Sequence, residues 1–177
     1  MPTPNLYDRI VGQRSSLETL MARLPGYRGY KDMTDRRASD RLIRDHVVQK
    51  LRGEMDHLVQ VEKKLLASGD LSKAALTREG KMKFQTFIDK IATSAPGYSG
   101  FYDAKKVGPD ELTKVYAFDA ALLDYVDKFK GVIDALSGAI DAKQGIEKAA
   151  ADLETLANEA LSAYSLRDDI FTGLSQN

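Results

Sequence analysis

Apolar residues recur at spacings of three and four along almost the whole of this 177-residue chain, and no window alternates apolar and polar with a period of two. Spacings of three and four lay one apolar stripe along a helix, whereas a half-buried strand needs strict alternation. The chain is thereby held to an all-α fold.

A first helix is expected over residues 4–23, with Leu6, Ile10, Leu17, Leu20 and Leu24 on one stripe. A second covers residues 33–67 through Val48, Leu51, Met55, Leu58 and Leu65. Asp32 or Thr34 can cap its start, since either side chain accepts from the free N–H groups of a first turn. Ser68-Gly69-Asp70 reads as a tight turn, and a third helix follows over 71–93 with Phe84, Phe87, Ile88 and Ile91 inward. Gly108-Pro109-Asp110-Glu111 opens a fourth helix, with proline at the first helical position and acids where the helix dipole favours them. Its stripe runs Leu112, Val115, Leu122, Val126, Phe129, Ile133, Leu136 and then slips, which places a turn across Ser137 to Gly145. A fifth helix carries Ile146, Leu153, Leu156, Leu161 and Tyr164. Gly131, Gly138 and Gly145 are seven apart, so one long kinked helix is the alternative for this region.

Four to five helices on short links imply an elongated up-and-down antiparallel bundle, one domain over residues 1–177. An internal echo accompanies it. Asp40, Asp45 and Val47 recur at the spacing of Asp119, Asp124 and Val126, which suggests a duplicated helix pair (4–67 and 71–137) before a C-terminal helix (142–172).

Composition narrows the function classes. Apolar residues make up 43% and charged residues 29%, a balance that folds. No apolar run approaches the ~20 residues that span a bilayer. Met1 to Gln13 has no basic stretch followed by an apolar one, so no secretory signal is read there. The chain has no cysteine, which excludes disulfides, thiol catalysis and Cys-ligated zinc, and a cytoplasmic location is expected. Net charge is zero but uneven: residues 1–107 hold 20 Lys and Arg against 13 Asp and Glu, and residues 108–177 hold 6 against 13. Such asymmetry serves either an anion-binding face, a homo-oligomer pairing opposite charges, or mutual neutralisation within one bundle.

Two connections share a pattern. Leu24-Pro25-Gly26-Tyr27-Arg28-Gly29-Tyr30-Lys31 and Ala95-Pro96-Gly97-Tyr98-Ser99-Gly100-Phe101-Tyr102 both read Pro-Gly-Tyr-x-Gly-aromatic after a helix. Proline stops the helix, and glycine takes the left-handed conformation that a helix end needs. In an up-and-down bundle these loops meet at one end, gathering Tyr27, Arg28, Tyr30, Lys31, Tyr98, Phe101, Tyr102, Lys105 and Lys106. Aromatics among cations suit a binding surface; the same rings can instead plug the end of the core. Residues 24–44 (LPGYRGYKDMTDRRASDRLIR) and 97–126 (GYSGFYDAKKVGPDELTKVYAFDAALLDYV) resemble a family of small bacterial all-helical proteins. The resemblance implies a bacterial helical protein and brings no activity, substrate or catalytic residue.

Other motifs carry less. Glu54-Met55-Asp56-His57 is a Glu-x-x-His unit, but a di-iron bundle needs two such units, and no Glu stands three residues before His46. No metal or cofactor is expected. Arg37, Arg41 and Arg44 share a helix face and could grip phosphate, while Asp40–Arg44 and Arg41–Asp45 pairing would use the same charges at ~0.2–0.5 kcal/mol each. Asp119 falls in the apolar stripe between Val115 and Leu122, where a carboxylate needs a donor such as an arginine or a tyrosine hydroxyl. A structural pair is expected there, not a catalytic acid. No phosphate loop, dinucleotide fingerprint, nucleophile motif or His-based triad is present. The expectation is a non-enzymatic protein-interaction or scaffold protein with a protein partner. The alternative is a binder of nucleic acid or acidic lipid through the basic N-terminal half.

Overall fold

The computed structural model describes residues 16–29, 33–94 and 109–176. Every regular element among them is helical: α1 (Ser16–Arg23), α2 (Met33–Ala67), α3 (Leu71–Ala74), a 3-10 turn (Ala75–Thr77), α4 (Arg78–Thr93), α5 (Pro109–Ala142) and α6 (Ile146–Gln176). The fold is all-α. The expected residues 4–15 of the first helix, Asp32, and the side chains of Thr34, Asp110 and Glu111 lie outside the described set.

Two boundaries depart from the sequence reading. The expected third helix is broken, because Thr77 is carried inward by the 3-10 turn and its buried hydroxyl donates to Glu62 Oε1 at 2.7 Å. The fourth helix does not stop near Ser137 but continues to Ala142. Its stripe never slips, since Ile140 is buried one heptad after Ile133, while Gly138 faces open space. The turn is instead Lys143-Gln144-Gly145, where Lys143 and Gly145 both take positive φ, 55° and 76°. Glycine accepts that conformation without a Cβ clash, and this is what separates α5 from α6.

Buried positions recur every seven residues: Leu51, Leu58 and Leu65 on α2; Val115, Leu122, Phe129 and Leu136 on α5; Ala150, Ala157 and Tyr164 on α6. A repeat of 3.5 residues keeps one seam facing its neighbours along a long helix, as in coiled coils.

The chain divides into two compact units: Met1–Val47 with Ser94–Asp124 and Leu166–Asn177, and Val48–Thr93 with Tyr125–Ser165. The second has an aromatic core. Phe84 of α4 stacks on Phe129 of α5 at 3.9 Å, and Phe87 meets Tyr125, Phe129 and Tyr164. Fully burying each such ring contributes about 1.5–3 kcal/mol. Ion pairs give the helix directions in this unit. His57 approaches Asp134 and Lys64 pairs with Asp141, the same step of seven on both helices, so α2 and α5 run one way. Lys83–Glu154 and Phe87–Tyr164 likewise set α4 and α6 parallel. The tight turns at 68–70 and 143–145 reverse the chain between the two pairs.

Candidate functional site

The first unit is organised by the loop that ends α1. Leu24 N–H closes the last helical turn on Leu20 O at 2.8 Å, and Tyr27 N–H then turns back to Leu24 O at 3.1 Å. Ser39 of α2 ties the loop down: its hydroxyl accepts from Gly29 N–H at 3.0 Å and donates to Gly29 O at 3.0 Å. Gly29 has φ +87°, and a Cβ there would lie 2.6 Å from the Tyr116 hydroxyl, so the conformation and the space both demand glycine.

This geometry sends Tyr27 into the core, where it is 3% exposed. Its ring meets Tyr116 edge-on at 6.5 Å, and its hydroxyl donates to Asp119 Oδ2 at 2.9 Å. Asp119 is itself fully buried, so a hydrogen-bond donor at its carboxylate offsets part of its desolvation. A second buried carboxylate, Asp40, is held by Arg44 at 2.7 Å, and the same guanidinium donates to Ser94 O at 2.6 Å. Both aspartates of the sequence echo that are buried thus have structural partners.

The expected surface residues separate accordingly. Tyr27 is a core residue and is not displayed, which corrects its place in a tyrosine surface. Arg28 is displayed, 4.0 Å from Asp35. Tyr30, Lys31, Tyr98, Phe101, Tyr102, Lys105 and Lys106 lie outside the described residues. The arginine trio does not form one anion grip either. Arg44 is turned inward to Asp40, Arg41 is exposed and makes no ion pair with Asp45, and the Arg37 side chain lies outside the described set. His57 sits between Glu54 and Asp134, at 3.4 and 3.8 Å, and among the described residues no group of three His, Asp or Glu side chains is arranged to hold a metal ion.

A different site emerges in the second unit, on the face between α2 and α4. A groove of about 490 Å³ is lined by Glu62 and Leu66 of α2, Ala74 of α3, and Arg78, Lys81, Met82 and Gln85 of α4. Leu66 is 49% exposed and Met82 56%. Leu71 and Leu76 are also exposed, so four of the six exposed large apolar side chains among the described residues fall between positions 66 and 82. Of these four, Leu66 and Met82 line the groove, while Leu71 and Leu76 lie on the segment that joins α2 to α4. The charges nearby are unequal in freedom. Glu62 takes the Lys81 ammonium at 2.5 Å and the Thr77 hydroxyl, while Arg78 is exposed without an ion-pair partner among the described residues.

The sequence held a signal for this groove. Leu66 directly follows Leu65, about 100° round the helix from the seven-residue line of Leu51, Leu58 and Leu65. Met82 likewise falls off the stripe of Phe84, Phe87, Ile88 and Ile91. Apolar residues off the stripe were the available clue.

Among the described residues no helix is long and apolar enough to cross a membrane. No family model, curated protein or solved structure matches this chain.

Proposed function

We propose that this protein is a non-enzymatic interaction or scaffold protein that holds a protein partner in the α2–α4 groove. The carrying observation is the pair of exposed apolar side chains, Leu66 and Met82, that line this groove, among described residues whose other large apolar side chains are mostly packed inside. An amphipathic helix laid into an apolar groove between two helices is a recurring mode of recognition. The buried carboxylates support a non-catalytic reading, because Asp119 and Asp40 are engaged by Tyr27 and Arg44 in structural pairs. A cytoplasmic setting agrees with a chain that has no cysteine to oxidise. The anion-binding alternative has less support, since Arg44 is occupied by Asp40.

The test is the double variant Leu66→Gln with Met82→Gln. Both side chains are exposed and glutamine is a good helix former, so the melting temperature should stay within a few degrees of the parent. Affinity purification from the source cells should recover a partner with the parent chain and lose it with the variant. Recovery of the same proteins with both chains overturns the groove as the binding face.

A further inference from the structure

We infer that the groove selects an acidic amphipathic helix of a partner protein; this rests on the groove being a docking face and adds the chemistry of what docks. The floor is apolar, from Leu66, Ala74 and Met82. The thioether of Met82 is flexible and polarisable and adapts to varied apolar surfaces. Along α4 the lining from Arg78 to Gln85 covers about two turns, ~10 Å, which matches apolar anchors at i, i+4 and i+7 of a docked helix.

The charge at the rim is positive once internal pairs are removed. Glu62 and Lys81 neutralise each other. Arg78 remains on the α4 side, exposed and without an ion-pair partner among the described residues. Glu79 is exposed too, but as the next residue it points roughly 100° further round α4. A helix seated on the apolar floor therefore meets the Arg78 guanidinium on its α4 flank, and a carboxylate there complements it.

A second copy of this chain fits poorly. A two-fold groove-to-groove contact uses the same patch on both subunits and sets one lining with an unpaired arginine, Arg78, against another. A groove-to-helix contact needs an exposed apolar stripe elsewhere, and the exposed large apolar residues outside the groove among those described, Met21, Leu71, Leu76 and Leu166, lie on four different segments: α1, α3, the 3-10 turn and α6.

The experiment uses the full chain and three labelled peptides of roughly 18 residues, about five helical turns. All carry leucine at i, i+4 and i+7, with flanks of glutamate, glutamine or lysine, and binding is read by fluorescence anisotropy. The glutamate peptide should bind best and the lysine peptide worst. Arg78→Glu should reverse that order, and Leu66→Gln with Met82→Gln should weaken every peptide by about tenfold. Equal affinity for all three overturns the acidic selection while the groove remains a helix-binding face. No binding of any peptide overturns both. Self-association of the parent chain in sedimentation, abolished by Leu66→Gln with Met82→Gln, makes a second copy the occupant and overturns the inference.

Discussion

Tyr27 and Asp119 are 92 residues apart in sequence, yet a hydrogen bond joins them inside the first unit. The tyrosine does two things at once: its ring fills the core beside Tyr116, and its hydroxyl serves a carboxylate that water does not reach. Tyr27→Phe keeps the ring and deletes the donor. It should lower stability by about 1–3 kcal/mol, the cost of under-satisfying a buried acceptor. Urea unfolding of Tyr27→Phe, Asp119→Asn and the double variant checks this. Additive losses would mean that the two residues act separately.

At the scale of elements, the glycines inside helices behave oppositely according to what lies beside them. Gly131 and Gly138 of α5 face open space, and a Cβ at either meets nothing within 4 Å. Alanine there lowers the backbone entropy of the unfolded chain, and each change should stabilise by about 0.5–1 kcal/mol. Gly80 of α4 is different, because a Cβ would come within 3.1 Å of Glu154 N and of the Leu153 side chain on α6. Backbone at that distance yields only if the helices part, so the same substitution should lose stability despite the better helix propensity. Thermal melts of Gly131→Ala, Gly138→Ala and Gly80→Ala give the signs directly. A gain at Gly80 would show that α4 and α6 have room to adjust.

For the molecule as a whole, surface ionisation predicts a plateau of stability at neutral pH. Ser72's hydroxyl, then Lys73, holds the Asp70 carboxyl below its ordinary value of 3.8, and a hydrogen bond from Lys130 does the same for Asp134. Depressed carboxyl groups contribute stability that is present above their unfolded value and lost as pH falls through the folded one. Lys130 is raised above 10.5 by the same Asp134 bond, so its contribution holds below that value and fades as pH rises through the folded one. These groups are exposed and their effects small. Denaturation midpoints should therefore vary little between about pH 5 and 9 through these groups and fall below about pH 4. A steep change across neutral pH would point to other titrating groups.

The sequence by itself determined the helices, because the forces that make them are local. The limits of α2 at Met33 and Ala67, the end of α4 at Thr93, the start of α5 at Pro109 and of α6 at Ile146 follow from stripes, stops and a proline within a few residues. It also marked Asp119 as a carboxylate in need of a donor, since its place in the stripe implied burial. What the stripe did not carry was the identity of that donor, the inward turn of Thr77 toward Glu62, the continuation of α5 through Gly138, or the groove. Each of these depends on groups from a different helix or on space left beside one. Tyr27 reaches Asp119 because Ser39 and Gly29 aim the loop, and Leu66 and Met82 form one face because α2 and α4 lie side by side. Local periodicity fixes which face of each helix avoids water; tertiary packing decides which surfaces those faces leave uncovered.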